Sequence, residues 1–187
     1  MKKIAIFGTS ADPPTIAHKK ILLWLAQKFD LVAVYAVDNP FKQHSASFEQ
    51  RNQMLFLLIE DIKTNRNNIL VCPEISDLRS LNTINKAREK WGKEVEFSLV
   101  IGSDLTAQIQ QWYKKEELLG KVKLLIIPRP GYPLNNNDLK KIEEMEGSYQ
   151  IAQANLPPVS STKYRKEGHE NILTETVKTY IKEQKLY

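Results

Sequence analysis

Six short, nearly unbroken apolar runs punctuate the chain, at residues 3–7, 31–37, 69–72, 97–101, 124–127 and 150–155. A strand with one wet face alternates apolar and polar residues; most of these runs do not, which is the pattern of strands covered on both faces in a parallel sheet. Between them apolar residues return at helical spacing: Ile21, Leu22, Leu25 and Phe29; then Phe48, Leu55, Ile59 and Ile62; then the stretches 81–91, 105–119 and 173–186. Strands alternating with helical crossovers predict an α/β fold, a doubly wound Rossmann-like parallel sheet with helices on both faces. With 187 residues, 42% of them hydrophobic, one domain spanning 1–187 can bury a full core. Ligands of such sheets bind beyond the carboxyl ends of the strands, so the loops that follow each strand are where chemistry is expected.

The first of these loops is the most informative. Strand residues end at Gly8, and Thr9-Ser10-Ala11-Asp12-Pro13-Pro14-Thr15-Ile16-Ala17-His18 follows. Proline suits the first helical position because its φ is preset and its absent N–H would have had no partner. Asp12 reads as the N-cap. A strand, a tight turn and a helix N-terminus make an anion site, since free N–H groups and the positive dipole end face the turn. Thr15 and His18, three apart, share a helical face at its mouth.

Later loops repeat the theme. Asn39-Pro40 ends the second strand and leaves Lys42 and His44 at its mouth. Arg51 reads equally as a helix-surface residue and receives no role. Thr83, after the third strand, is either a ligand contact or a plain N-cap. Gly102 closes the fourth strand where a backbone could approach a ligand, and Asp104 could accept from ribose hydroxyls. Trp112 is either core or a stacking surface. Near the C-terminus, Pro157-Pro158-Val159-Ser160-Ser161-Thr162-Lys163-Tyr164-Arg165 places hydroxyls at a helix start and Arg165 one turn in, a pattern fit for a polyphosphate. Residues 132–147 read as a polar surface loop with a short helix.

Composition narrows the partners. Basic residues number 27 and acidic 22, for a formal charge of +5, which suits a small anionic ligand better than a nucleic-acid polymer. The N-terminal apolar run is too short for a signal-peptide core or a membrane span. One cysteine, Cys72, excludes an internal disulfide, and histidines at 18, 44 and 169 offer no zinc spacing. A cytoplasmic protein is expected, and nothing in these features decides whether it forms a homo-oligomer.

Gly8, Asp12, Pro13, Thr15 and His18 resemble the (H/T)xxH signature of the nucleotidylyltransferase superfamily, and Val159 to Arg165 resembles its I-S-S-T-x-x-R motif. The matching segments run through nearly the whole chain and are most similar to the nicotinate-mononucleotide adenylyltransferase family. That resemblance implies transfer of AMP from ATP to a pyridine mononucleotide, nicotinate mononucleotide first, by direct in-line attack. It implies catalytic roles for His18, Thr15 and Arg165, with Thr15 sharing the contact to the α-phosphoryl group. ATP would be held by Gly8, Thr9, Ser10, His18, Gly102, Asp104, Ser160, Ser161, Thr162 and Arg165, and the acceptor by Lys42, His44, Thr83 and Trp112. Mg²⁺ is expected with the triphosphate rather than at a protein metal site. Nicotinamide mononucleotide or phosphopantetheine as acceptor, and a nucleotide-sensing module without catalysis, stay open.

Overall fold

A computed structural model describes residues 1–38 and 43–187. Its strands are β1 (Lys2–Thr9), β2 (Leu31–Ala36), β3 (Ile69–Val71), β4 (Val95–Gly102), β5 (Lys123–Ile127) and β6 (Ser148–Ile151). The helices are α1 (Ile16–Lys28), α2 (Phe48–Glu60), α3 (Ser80–Trp91), α4 (Lys115–Leu119), α5 (Asn136–Glu144), α6 (Ser161–Glu167) and α7 (Glu175–Gln184). The six strands form one sheet in the order β3-β2-β1-β4-β5-β6, with every pairing parallel.

Side chains of successive strand residues point to opposite faces, and each face carries its own core. Ala5, Phe7, Val32 and Val34 pack with Leu22 and Leu25 of α1, Leu55 and Leu58 of α2, and Val177 and Ile181 of α7. Ile4, Ile6, Leu31 and Ala33 pack on the other side with Ile84 of α3, Leu118 of α4 and Ile142 of α5. Two-sided burial is why β2 is apolar at every position. The chain leaves β1 toward β2 on one side and reaches β4 on the other, so the order reverses between β1 and β4. Register sets Phe7 beside Val100 and Gly102 beside Ile127, which brings the ends of β1, β4 and β5 to one edge.

Three expectations need correction. The stretch 105–119 is not one helix: a 3₁₀ helix spans Ser103–Gln111, Trp112 is extended, and α4 begins only after Lys114 in the left-handed region. The Thr106 hydroxyl donates to the Ser103 carbonyl three residues back (2.9 Å), consistent with the tighter winding. β6 covers 148–151 rather than 150–155. Among the described residues it is the edge strand of the sheet, and the Ala152 N–H carries the pairing one residue onward, to the Ile126 carbonyl. Finally, α1 starts at Ile16, capped by Thr15 and not by Asp12. No helix among the described residues is long and apolar enough to cross a membrane.

Candidate active site

The T-x-x-H spacing is a capping box with histidine in the place usually taken by Glu or Gln. The Thr15 hydroxyl accepts from the first-turn backbone, while His18 reaches back so that the Thr15 N–H donates to its Nδ1 (3.0 Å). A backbone N–H can only donate, so Nδ1 of the neutral ring carries no proton and Nε2 does. Nε2–H then donates to the Thr9 hydroxyl at 2.9 Å. Burial, reinforced by the positive charge of Arg129, holds the His18 pKa down to about 4, from an ordinary 6.5. The ring is therefore a neutral Nε2–H donor at pH 7. Its contribution to folding is full above pH 6.5 and is lost as pH falls through about 4, because the unfolded chain takes up that proton first.

Thr15 is 0% exposed, and its hydroxyl lies 3.1 Å from Nδ1. It fixes the ring from behind. Asp12, read as a cap, is instead a buried hub, 1% exposed. Its carboxylate accepts from the backbone N–H groups of Ser45 (2.8 Å) and Ala46 (3.0 Å), and His44 Nδ1 stands 3.8 Å away.

The C-terminal motif comes to the same turn. The Ser160 hydroxyl caps α6 by accepting from the Lys163 N–H (3.1 Å), Ser161 Oγ donates to the Pro13 carbonyl (2.7 Å), and the Arg165 guanidinium donates to the Asp12 carbonyl. Thr162 lies beside the other end of that guanidinium. His18 and Arg165 thus flank one short segment, residues 12–15, though 147 positions separate them in the chain.

At the adjoining strand ends Asp104 pairs with Arg129 at 2.9 Å. A Cβ on Gly102 would fall 2.3 Å from an Asp104 carboxylate oxygen and 2.8 Å from Arg129 Cδ, so glycine is what lets this pair fold over the end of β4. Gly8 serves packing as well: a Cβ there would meet the Tyr35 ring and hydroxyl at 2.7 Å. Thr83 is not a cap: the N-cap position of α3 is Arg79, and Thr83 sits inside the helix at 0% exposure. Trp112 is half-buried against the second core. Lys42 lies outside the described residues.

His18, Arg165 and Arg129 thus gather at the β1/β4 reversal, the place where sheets of this kind bind their ligands. Residues 6–167 match the model of the cytidylyltransferase-like family. The chain belongs to that family. A protein named probable nicotinate-nucleotide adenylyltransferase from Synechocystis sp. is 47% identical over 99% of this chain and 98% of its own length. One of the same name from Escherichia coli O139:H28 is 27% identical over 98% and 97%. Among solved structures, Plasmodium falciparum nicotinic acid mononucleotide adenylyltransferase complexed with NaAD superposes with a TM-score of 0.82 at 21% identity, covering 98% of this chain and 96% of that one. Its complex with APC gives 0.80 at 20% identity, with 99% and 96% covered. Both share the fold.

Two residues of this cytidylyltransferase-like chain escaped the sequence reading. Arg129 lies two residues past the end of β5, where the rule that ligands gather beyond strand ends points. Arg51 is 1% exposed and donates to the carbonyls of Ser10 (2.9 Å), Val37 (2.9 Å) and Ala46 (3.2 Å). A buried and an exposed arginine look alike in a local sequence, and nothing near residue 51 distinguishes them.

Proposed function

We propose that the protein transfers the adenylyl group of ATP to nicotinate mononucleotide, giving deamido-NAD and pyrophosphate. The observation that carries the reading is the convergence of the His18 ring, whose Nδ1 accepts from the Thr15 N–H, and the Arg165 guanidinium, which donates to the Asp12 carbonyl, on residues 12–15 at the strand-order reversal. The high identity to a relative bearing that activity in its name supports the choice of acceptor.

A phosphate oxygen of the acceptor attacks the α-phosphorus in line, and the bond from that phosphorus to the α–β bridging oxygen breaks. Pyrophosphate leaves with the bonding electrons. The attacking oxygen is already anionic, so no general base is required, and catalysis consists of positioning and charge stabilisation. His18 transfers its Nε2–H hydrogen bond from Thr9 to an α-phosphoryl oxygen as charge builds there. Arg165 has donors beyond the one bonded to Asp12 and meets the departing β- and γ-phosphates, with Ser161 and Thr162 beside it. Arg129 adds positive charge on the β5 side, and Asp104 accepts from the ribose. On the acceptor side, His44 and Lys42 meet the mononucleotide phosphate and Trp112 stacks on the pyridine. Among the described residues no group of three or more His, Cys, Asp or Glu side chains could hold a metal ion. Mg²⁺ comes with the triphosphate, as part of the substrate.

The test is pyrophosphate release from ATP with three acceptors in parallel: nicotinate mononucleotide, nicotinamide mononucleotide and phosphopantetheine. The expected kcat/KM is highest for the nicotinate compound. A preference for phosphopantetheine, or ATP binding with no release on any acceptor, would refute the reading.

A further inference from the structure

Helix α7 does not simply stop. Lys185 takes the left-handed conformation, its N–H bonds to the Lys182 carbonyl (3.3 Å), and the Leu186 N–H bonds to that of Ile181 (3.0 Å). This is a Schellman turn, and its usual apolar contact is present, because Leu186 packs on the same core as Ile181. The turn sends Tyr187 back across the molecule. Its phenol donates to Asp12 Oδ1 at 2.7 Å, and its ring meets that of Tyr164 on α6 edge to face, with centroids 5.9 Å apart.

Asp12 Oδ1 is thus shared between the Tyr187 O–H and the Ala46 N–H, and Oδ2 accepts from Ser45. Around this carboxylate stand His44 ahead of α2, at 3.8 Å, and Arg165 of α6, at 3.9 Å, while Arg51 of α2 adds its positive field. The main chain of the same residue receives the Arg165 guanidinium. One aspartate therefore links the donor-side arginine, the acceptor-side segment 44–46 and the turn that leads into Thr15 and His18. The buried carboxylate depends on every donor it has, because an unmatched lone pair there is costly.

From this arrangement we infer that Tyr187 is a positioning residue for adenylyl transfer: its phenol latches Asp12 so that the 44–46 segment and Arg165 stay in register across the phosphate turn. It touches neither substrate and acts through Asp12. The role rests on the adenylyl-transfer reading, whereas the latch itself does not. A misplacement of reacting groups by a fraction of an ångström lowers the rate of the chemical step more than the binding of either substrate.

Tyr187→Phe removes the O–H and keeps the ring against Tyr164. The expected result is a fall in kcat of roughly 10-fold with both KM values within about 2-fold of wild type, and amide hydrogen exchange at Ser45 and Ala46 roughly 10-fold faster. Wild-type kcat, a change confined to KM, or unaltered exchange at both amides would each overturn the proposal. If the unmutated protein released no pyrophosphate with any acceptor, the adenylyl-transfer reading and the positioning role would fall together. The exchange rates would still decide whether the latch exists.

Discussion

His18→Ala lowers kcat by about 10²–10³, equivalent to roughly 3–4 kcal/mol of transition-state stabilisation, and leaves the KM for ATP nearly unchanged. The asymmetry follows from where the ring's proton goes. Before substrate arrives Nε2–H is satisfied by the Thr9 hydroxyl, so trading that partner for a weakly charged phosphoryl oxygen gains little. The gain appears when the α-phosphoryl oxygens take on charge in the transition state. The donor is already aimed there by the Thr15 N–H behind it and needs no reorganisation. Steady-state rates of pyrophosphate release give both constants, and turnover within a factor of three of wild type would remove His18 from the chemistry.

The second large effect is on stability. Arg51→Met keeps the apolar stem but strips three carbonyls, at Ser10, Val37 and Ala46, of their donor. It also deletes the positive charge that faces buried Asp12. Breaking a buried charged network by removing one partner costs about 3–5 kcal/mol, which for a chain of this size lowers Tm by roughly 10 °C. The loss should reach the active site too, because the Ser10 carbonyl belongs to the turn between β1 and Thr15. Thermal unfolding followed by circular dichroism checks this, and a Tm within about 2 °C of wild type would mean that water replaces the guanidinium.

The fold was largely legible because its signal is local. An apolar run without alternation identifies a strand covered on both faces, and β1, β2, β4 and β5 lie where those runs are. The two motifs T-x-x-H and S-S-T-x-x-R were legible for the same reason, since each spans no more than two turns of helix. What escaped depends on partners far away in the chain. Asp12 has the local look of an N-cap, yet its ligands are Ser45, Ala46 and Tyr187, and only the folded sheet gathers them. Arg51 and Arg129 are similar cases, one hidden by α2 and the turn after β1, the other significant through Asp104 and His18. The 3₁₀ helix at Ser103–Gln111 carries apolar residues at helical spacing, so periodicity alone could not separate it from an α-helix.

The proposed transfer depends on a neutral imidazole whose single proton, on Nε2, faces the turn after β1 at the β1/β4 reversal. Nitrogen-15 NMR of the His18 ring, recorded across pH with and without a non-hydrolysable ATP analogue, tests that most directly. The predicted result is the Nε2–H form throughout the neutral range, protonation in the free protein only near pH 4, and a shift of the Nε2–H signal when the analogue binds. A ring that titrates near its ordinary 6.5, carries its proton on Nδ1, or ignores the analogue would contradict the account.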